Sequence, residues 1–412
     1  MPAPRARAVV IGGGIGGLTA ALALHRTRWE VTVLERAPSL EPVGAGIGLA
    51  PNGQRALDTV GLGDEIRELA AWQGDGGLRT PDGRWLSRIG SAAVAARFGG
   101  PVVIAHRAEL VARLLARIPG GTVRTGVTAR LLDPGKAQGA PARVAADGEE
   151  IEADLVVGAD GIHSGVRRAL FPGHPGPRYS GLTTWRVVVP GLGRPFPPHE
   201  SWGRAMLWGT LPLQDGRIYA YAAAPAPAGE RAPDEHAELL RRFGNWHDPI
   251  PAILGSLTHD QVLRHDVHHL IDPLPAFHRG RTALLGDAAH AMAPNLGQGG
   301  NQAIEDAVVL AHHLGPGPGR GIDRGPALAA YSAERLPRTT AVVRKAARVA
   351  RLVQLSSRPA VAARDGVLRL AALLGPGAAV RTMDGIADWR PPRRTYADRA
   401  PQGRATERGG IG

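Results

Sequence analysis

The chain has 412 residues, 43% hydrophobic and 21% charged, proportions that support a sizeable core spread over about two domains. It contains no cysteine, which excludes disulfides, thiolate metal sites and cysteine nucleophiles, and nothing marks it for secretion. Its net charge of +12 rests on dispersed arginines, with Lys136 and Lys345 as the only lysines; no nucleic-acid motif accompanies the charge, so a solvated basic surface is expected that draws in anionic substrates or nicotinamide phosphates.

Taken in chain order, residues 6–11 form a short apolar run suited to a buried parallel strand. Glycines follow, then a helical stretch from Leu18 and a second strand at residues 30–34, a βαβ opening. The strand starts too close to the N-terminus to leave room for a signal peptide. A further strand is expected at residues 102–105 and a helix at 107–118, with Leu110, Leu114 and Leu115 on one face. Residues 123–149 alternate with turn signals and are expected to form a small antiparallel set. Residues 154–158 are another buried strand, and a helix starts at Ser164. From about Gly176 the pattern changes: residues 183–189, 205–211 and 217–223 alternate Trp, Tyr, Val and Thr with polar residues, which predicts an antiparallel sheet. Residues 282–285 return to the buried parallel style, a helix follows over 298–314, a Pro/Gly linker over 315–325, and a helix over 326–355. No run of about 18 apolar residues occurs, so no membrane span is expected; the expected location is cytoplasmic. Six arginines fall after Asp388, in a Pro/Gly-rich stretch expected to fray.

The residues that carry chemistry begin with Gly12-Gly13-Gly14-Ile15-Gly16-Gly17. This G-x-G-x-x-G follows a strand, opens a helix and is followed by Glu35 at the end of the next strand, the full dinucleotide fingerprint. Gly12 permits the tight turn, Gly14 lets the backbone approach a pyrophosphate at the helix N-terminus, Gly17 lets helix and strand pack, and Glu35 suits ribose hydroxyls. The fingerprint alone does not separate FAD from NAD.

Gly158-Ala159-Asp160-Gly161 ends one buried strand and Gly286-Asp287 another, the latter followed by Ala288-Ala289-His290. With His106-Arg107-Ala108-Glu109-Leu110, these pieces resemble the FAD-dependent single-component monooxygenases that hydroxylate aromatic compounds, whose members include salicylate and urate hydroxylases and zeaxanthin epoxidase. The resemblance spans roughly residues 6–345. It implies an α/β fold: a Rossmann-like FAD-binding domain of the glutathione-reductase type, an inserted antiparallel β-sheet substrate domain and C-terminal helices. The expected division is FAD domain at residues 1–75, 101–175 and 277–325, sheet domain at 76–100 and 176–276, helical region at 326–390 and a flexible basic tail at 391–412. Gly12, Gly14, Ile15, Gly17, Glu35, Arg36, Gly48, Arg107, Asp160, Gly161, Gly286, Asp287, Pro294, Gly297, Gly299, Gly300 and Asn301 are the expected cofactor-binding residues. Asp287 is expected at the ribityl chain, Arg107 at FAD, and Asp160–Gly161 near the pyrophosphate and the nicotinamide cofactor. Pro294 lies near the flavin ring, and His290 is a second catalytic candidate.

The resemblance also implies the reaction: NADH or NADPH transiently reduces FAD, O2 adds to give a flavin hydroperoxide, and one oxygen atom passes to an aromatic or other electron-rich small molecule. A reductase or halogenase on the same fold, or epoxidation or Baeyer–Villiger insertion, stays open, although the Trp-x-Trp-x-Ile-Pro halogenase signature is absent. The chain is expected to act as a monomer or homodimer. Trp185, Arg186, Arg204, Trp208, Tyr219 and Tyr221 are substrate-pocket candidates; strand alternation puts Trp185 and Arg186 on opposite faces. Each motif also has a plainer reading. Asp160 and Asp287 suit helix capping, Asn52 a helix N-cap, residues 44–48 an ordinary loop, and His290 a packed neighbour of the flavin loop rather than a base. His265, His268 and His269 with Asp266 lack metal-ligand spacing, so no metal is expected.

Overall fold

The strand Arg7–Ile11 is buried along nearly its whole length and needs hydrogen-bonding partners on both edges, which parallel strands supply. Leu155–Gly158 flanks it on one side and Glu30–Glu35 on the other. Thr282–Leu284 and Val123–Thr125 extend the sheet in parallel, and the short antiparallel strand His278–Arg279 closes one edge. In this computed structural model residues 5–40, 45–70, 74–317 and 322–392 are described; Gly44, residues 318–321 of the expected linker and nearly all of the expected tail lie outside them. The helix Ile15–Arg26 lies between this sheet and the helix Gly299–Leu314, and both are buried on almost every side. That placement explains why both read as Ala-, Gly- and Leu-rich rather than as one-sided amphipathic helices.

The antiparallel set differs from expectation at its start. Val123–Thr125 joins the main sheet, and only Ala129–Asp133, Ala142–Ala146 and Glu149–Ala153 pair antiparallel. Residues 46–49, read as part of a glycine loop, instead form a strand paired with Val103–His106. Asn52 does not cap a helix: Pro51–Thr59 is capped at Ala50, and the Asn52 amide turns inward.

A second sheet has seven strands, in the order Leu263–His269, Arg178–Val189, Ile218–Pro225, Leu207–Pro212, His199–Trp202, Gly76–Arg79 and Trp85–Ile89. Its faces separate by strand alternation. One face carries Trp185, Val187, Trp208, Ala220 and Ala222, packed on the helices Glu235–Phe243 and Ile250–Gly255. The other presents Arg186, Tyr219 and Tyr221 to the first sheet's side of the molecule, where the Tyr219 ring lies against Gly46. No helix among the described residues is long and apolar enough to cross a membrane.

The long helix Gly325–Val353 packs on Gly299–Leu314, and a fully buried ionic network joins them. Arg335 donates to Glu305 at 2.5 Å and to Asp306 at 2.7 Å, with all three side chains at 0% exposure. Arg338, Gln302 and Asn52 donate to the remaining lone pairs of Glu305. Asp306 also accepts the backbone N–H of Gly286 at 2.9 Å and His290 Nε2 at 2.5 Å. Burial alone would raise the Asp306 carboxyl; His290 and Arg335, with the hydrogen bonds from His290 and Gly286, overcome it and hold it at about 2.

Arg335→Met keeps the length and removes the charge, taking from two buried carboxylates the cation they share. The expected loss is about 3–5 kcal/mol, measured as a fall in the urea midpoint. Because the Asp306 carboxyl is depressed on folding, its stabilisation is complete above the ordinary Asp range. It is lost as pH falls from about 4 to about 2, so the wild-type midpoint should drop across that window and that of Asp306→Asn should drop less.

Candidate active site

The glycine turn is shaped for a phosphate. Gly12 adopts φ +110°, and a β-carbon there would collide with the Ala159 carbonyl; one on Gly17 would collide with the carbonyl of Gly12. These two glycines serve the fold. Gly14 differs: a β-carbon there would meet nothing within 4 Å, so its pro-side-chain face opens on a cradle. The helix Ile15–Arg26 starts at Gly14 with no side-chain cap and no acidic residue in its first turn. Its free N–H groups and positive end therefore face that space. Glu35 accepts the backbone N–H of Gly13 at 2.6 Å and of Ala37 at 2.8 Å, which fixes its carboxylate at the rim. Arg36 beside it is exposed.

Asp160 does cap a helix: its Oδ2 accepts Gly165 N at 2.7 Å and Val166 N at 3.1 Å. Its Oδ1 is buried with no partner among the described residues, so capping uses only half of the carboxylate. Gly161 follows at φ +77° with open space where a side chain would stand. Asp287 begins the turn Asp287–His290 after Gly286, whose φ is +60°. Its carboxylate makes no capping bond to that turn and is exposed to the cleft. Crowding by surrounding protein pushes its carboxyl up, and His290 and Arg107 partly offset this. Arg107, opposite, is lowered by the same crowding and by Arg186, and supported by Asp287. No described residue hydrogen-bonds its guanidinium.

The loop after Asp287 places Pro294 and Gly297 at the surface of the cleft, with Gly297 at φ +59°. The helix Gly299–Leu314 begins there with no side-chain cap and no acid in its first turn, a second positive helix end aimed at the cleft. A β-carbon on Gly300 would collide with Ile47, so the glycine lets the two elements touch. Asn301 is a strut rather than an open ligand. Its side chain accepts Ala50 N at 3.1 Å and donates to Gly48 O at 2.9 Å and Gly297 O at 2.7 Å, tying the loop that holds Gly297 to the strand Gly46–Leu49.

Four candidates are corrected. His290 is buried, 3% exposed, against Asp306 and Phe277, so it holds the Gly286 turn rather than standing open to the cleft as a base. Trp185 and Trp208 lie on the sheet face away from the cleft; Trp185 Nε1 donates to Glu235 at 2.7 Å and Trp208 stacks near Phe243. Arg204 sits in the turn before Leu207–Pro212 and donates to Ser356 O. Arg186, Tyr219 and Tyr221 do share the cleft face. Arg186 contacts His265 Nδ1 at 3.1 Å, and its Nε is buried with no partner among the described residues. Burial pushes the Tyr219 hydroxyl up to about 12 against the pull of Arg186. No group of three or more His, Asp or Glu among the described residues is placed to hold a metal.

The family described as FAD binding domain matches residues 5–346. An aurachin C monooxygenase/isomerase of Stigmatella aurantiaca is 37% identical over 366 residues, 88% of this chain and 93% of the relative. A 3-amino-4-hydroxybenzoate 2-monooxygenase of Streptomyces cremeus is 33% identical, over 88% of this chain and 91% of the relative. The solved structure of Klebsiella pneumoniae HpxO with FAD and uric acid superposes with a TM-score of 0.82 at 29% identity, over 93% of this chain and 96% of that one. The residues present fit such a cofactor: the open cradle at Gly14, the unpartnered Asp160 Oδ1 and two uncapped helix ends offer what a pyrophosphate and a hydroxylated chain require.

Gly14→Val should fill the cradle and abolish FAD retention while far-UV circular dichroism stays native, read by flavin absorbance of the purified protein. Asp287→Ala removes the one carboxylate facing the cleft from the Gly286 turn. A rise of about tenfold or more in the FAD dissociation constant is expected, by flavin fluorescence titration, in line with the loss of a charge-assisted hydrogen bond.

Proposed function

The chain belongs to the FAD binding domain family, as an aromatic-hydroxylase-type flavoprotein monooxygenase, and from that premise we propose its reaction: insertion of one oxygen atom of O2 into an electron-rich aromatic small molecule, with NADH or NADPH as transient reductant. Bound FAD supplies the redox and oxygen-transfer chemistry. The observation that carries the reading is the cleft where the uncapped start of Gly299–Leu314 and the Pro294 loop lie across from Arg107, Arg186 and Tyr219. This chain's residues bind, orient and shield there. Glu35, Arg36 and Gly14 would hold the adenosine and pyrophosphate end, Arg107 the phosphates, and Asp287 the hydroxylated chain. Arg186, whose Nε lacks a partner among the described residues, would draw in a ring bearing negative charge. The apolar parts of the site, Ala45, Leu213 and Ile104 around Tyr219, would keep bulk water from the reacting ring. The basic surface favours the approach of an anionic substrate and of nicotinamide phosphates. The named relatives act on an aurachin and on an aminohydroxybenzoate, both consistent with an aromatic substrate here.

The test is the absorbance spectrum of the purified protein with NADH or NADPH and a panel of phenols and aromatic acids. Flavin bands that bleach at least tenfold faster with one compound, recover in air and yield a product heavier by one oxygen support the reading; NAD(P)H oxidation that no aromatic accelerates refutes it. Arg186→Ala should raise KM for an anionic substrate about tenfold or more with a smaller change in kcat.

A further inference from the structure

Near the C-terminal end of the chain, a helix presents a face that no described residue covers. The helix Gly325–Val353 ends at a turn over residues 354–357, and Arg358–Leu373 follows it. The inner side of Arg358–Leu373 is accounted for. Leu368 packs with Leu78, Trp202 and Tyr221. The buried Arg364 donates to Gly203 O at 3.1 Å and pairs with Asp365 at 2.8 Å. At 3.6 residues per turn, Val367, Leu370 and Leu374 share an outward stripe, with Leu373 beside them. These four are 67%, 65%, 79% and 81% exposed. Leu352, just before the turn, is half-exposed. Exposed leucines scattered singly need no explanation, but four on one stripe mark a surface that meets something. The charge around the stripe has one sign. Residues 336–383 contain nine Arg and Lys and a single acid, Asp365, which Arg364 already pairs. Arg344, Arg348, Arg351, Arg358, Arg369 and Arg381 are all exposed, and helix geometry sets Arg358 and Arg369 along one border of the stripe.

We propose that this face docks on an anionic lipid surface, with Val367, Leu370, Leu373 and Leu374 entering the acyl boundary and the surrounding arginines held at the headgroups. Such a surface selects an apolar stripe edged by arginine. Burial of the leucines holds the helix, and the guanidinium groups pair with lipid phosphates. The helix lies on the bilayer rather than crossing it, because no helix among the described residues is long and apolar enough to span one. Two other occupants match the stripe less well. A second copy would bring the same arginines against each other, at a cost. This handful of side chains also falls short of the about 20–30 residues a side of a standard interface. Residues 393–412 carry five arginines against Asp398 and Glu407, with Tyr396 and Ile411 as their only large apolar side chains. They supply neither the opposite charge nor the apolar cover. The docking is independent of the reaction proposed above: it sets where the protein works, not what it does to a ring.

The experiment uses FAD-loaded full-length protein, flotation with vesicles of phosphatidylcholine alone or with about a third phosphatidylglycerol, and sedimentation velocity without lipid. Wild type should partition about tenfold or more strongly to the anionic vesicles, and less so as salt rises. Leu370→Ser with Leu374→Ser leaves every charge in place and should lose about tenfold or more of that partition. Arg358→Gln and Arg369→Gln should each lose about fivefold. Arg130→Gln, an exposed arginine on the distant strand Ala129–Asp133, should change the partition less than about twofold. The chain has no cysteine, so Leu373→Cys carries a single environment-sensitive fluorophore, whose emission should shift to the blue on anionic vesicles. Every substituted side chain is exposed, so flavin content should stay at the wild-type level and serves as the check on folding. A wild type that does not float with anionic vesicles overturns the proposal. So does an equal loss in Arg130→Gln and the stripe variants, or an emission that does not shift, since either shows diffuse attraction to charge alone. So does a wild-type dimer that the leucine double variant splits into monomers, which would make the stripe an interface between copies.

Discussion

The bridge from Arg335 to the adjacent carboxylates Glu305 and Asp306 is the constraint on which the rest of the site depends. A buried ion pair adds little net stability, because desolvation offsets the attraction, yet breaking one leaves a charge with no solvent. Its value is in what it allows only one way. Asp306 is fixed by Arg335, and it fixes in turn the N–H of Gly286 and the ring of His290. Glu305 is fixed by Arg335 and Arg338, and it fixes Asn52 on the helix after the strand Gly46–Leu49. One guanidinium thus sets the turn that presents Asp287 and the seat of the strand that borders the cleft.

The electrostatics of the cleft follow from what those elements leave out. Two buried helices begin there, at Gly14 and at Gly299, and neither has an acidic first turn or a side-chain cap. Most helices satisfy their first N–H groups with a Ser, Thr, Asp or Asn; here Gly14 and Gln298 stand at the caps with no side-chain capping bond, and the donors stay available for a ligand. Arg107 and Arg186 add positive charge, with Asp287 as counterweight. A site with this sign favours a pyrophosphate at one end and a reduced, anionic ring at the other, and it disfavours an uncharged ligand that would leave the helix ends unpaired.

Much of this was legible in the sequence because it was local. The fingerprint needs only a strand, a helix and their glycines; Gly12 and Gly17 each have the steric reason that the spacing implied, and Gly14 faces open space. The buried runs around Ile11, Val157 and Leu284 declared parallel strands by composition. What stayed hidden was long-range. Asn52 looked like a cap because Asn so often is one; its partner lies 253 residues away. Arg335 sits on the buried phase of its helix, and Glu305-Asp306 interrupt an otherwise apolar one. Two acids in a buried helix demand a cation, and that signal could have found the network without a structure. Val123–Thr125 was misassigned for a related reason: a three-residue strand carries too little pattern to say which sheet it joins.

The aromatic residues of the second sheet show where composition stops and parity begins. Trp185 and Trp208 drew notice as large rings near a presumed pocket, but a strand alternates its faces, and the run Trp185, Val187, Val189 is a core stripe. Counting the other parity along the same strands selects Arg186, Tyr219 and Tyr221, and across two more strands it reaches Gly209 and Glu200. A glycine in a strand usually weakens it, which makes a close approach by another group the natural reason for its presence. Here that group is the Tyr221 ring, and the space opened by Gly209 is what lets a tyrosine on one strand meet a carboxylate two strands away. The same packing rule that places tryptophans in the core therefore leaves, on the opposite face, a row in which Arg186 and Tyr219 stand toward Arg107 and Gly46 while Tyr221 turns its hydroxyl onto Glu200.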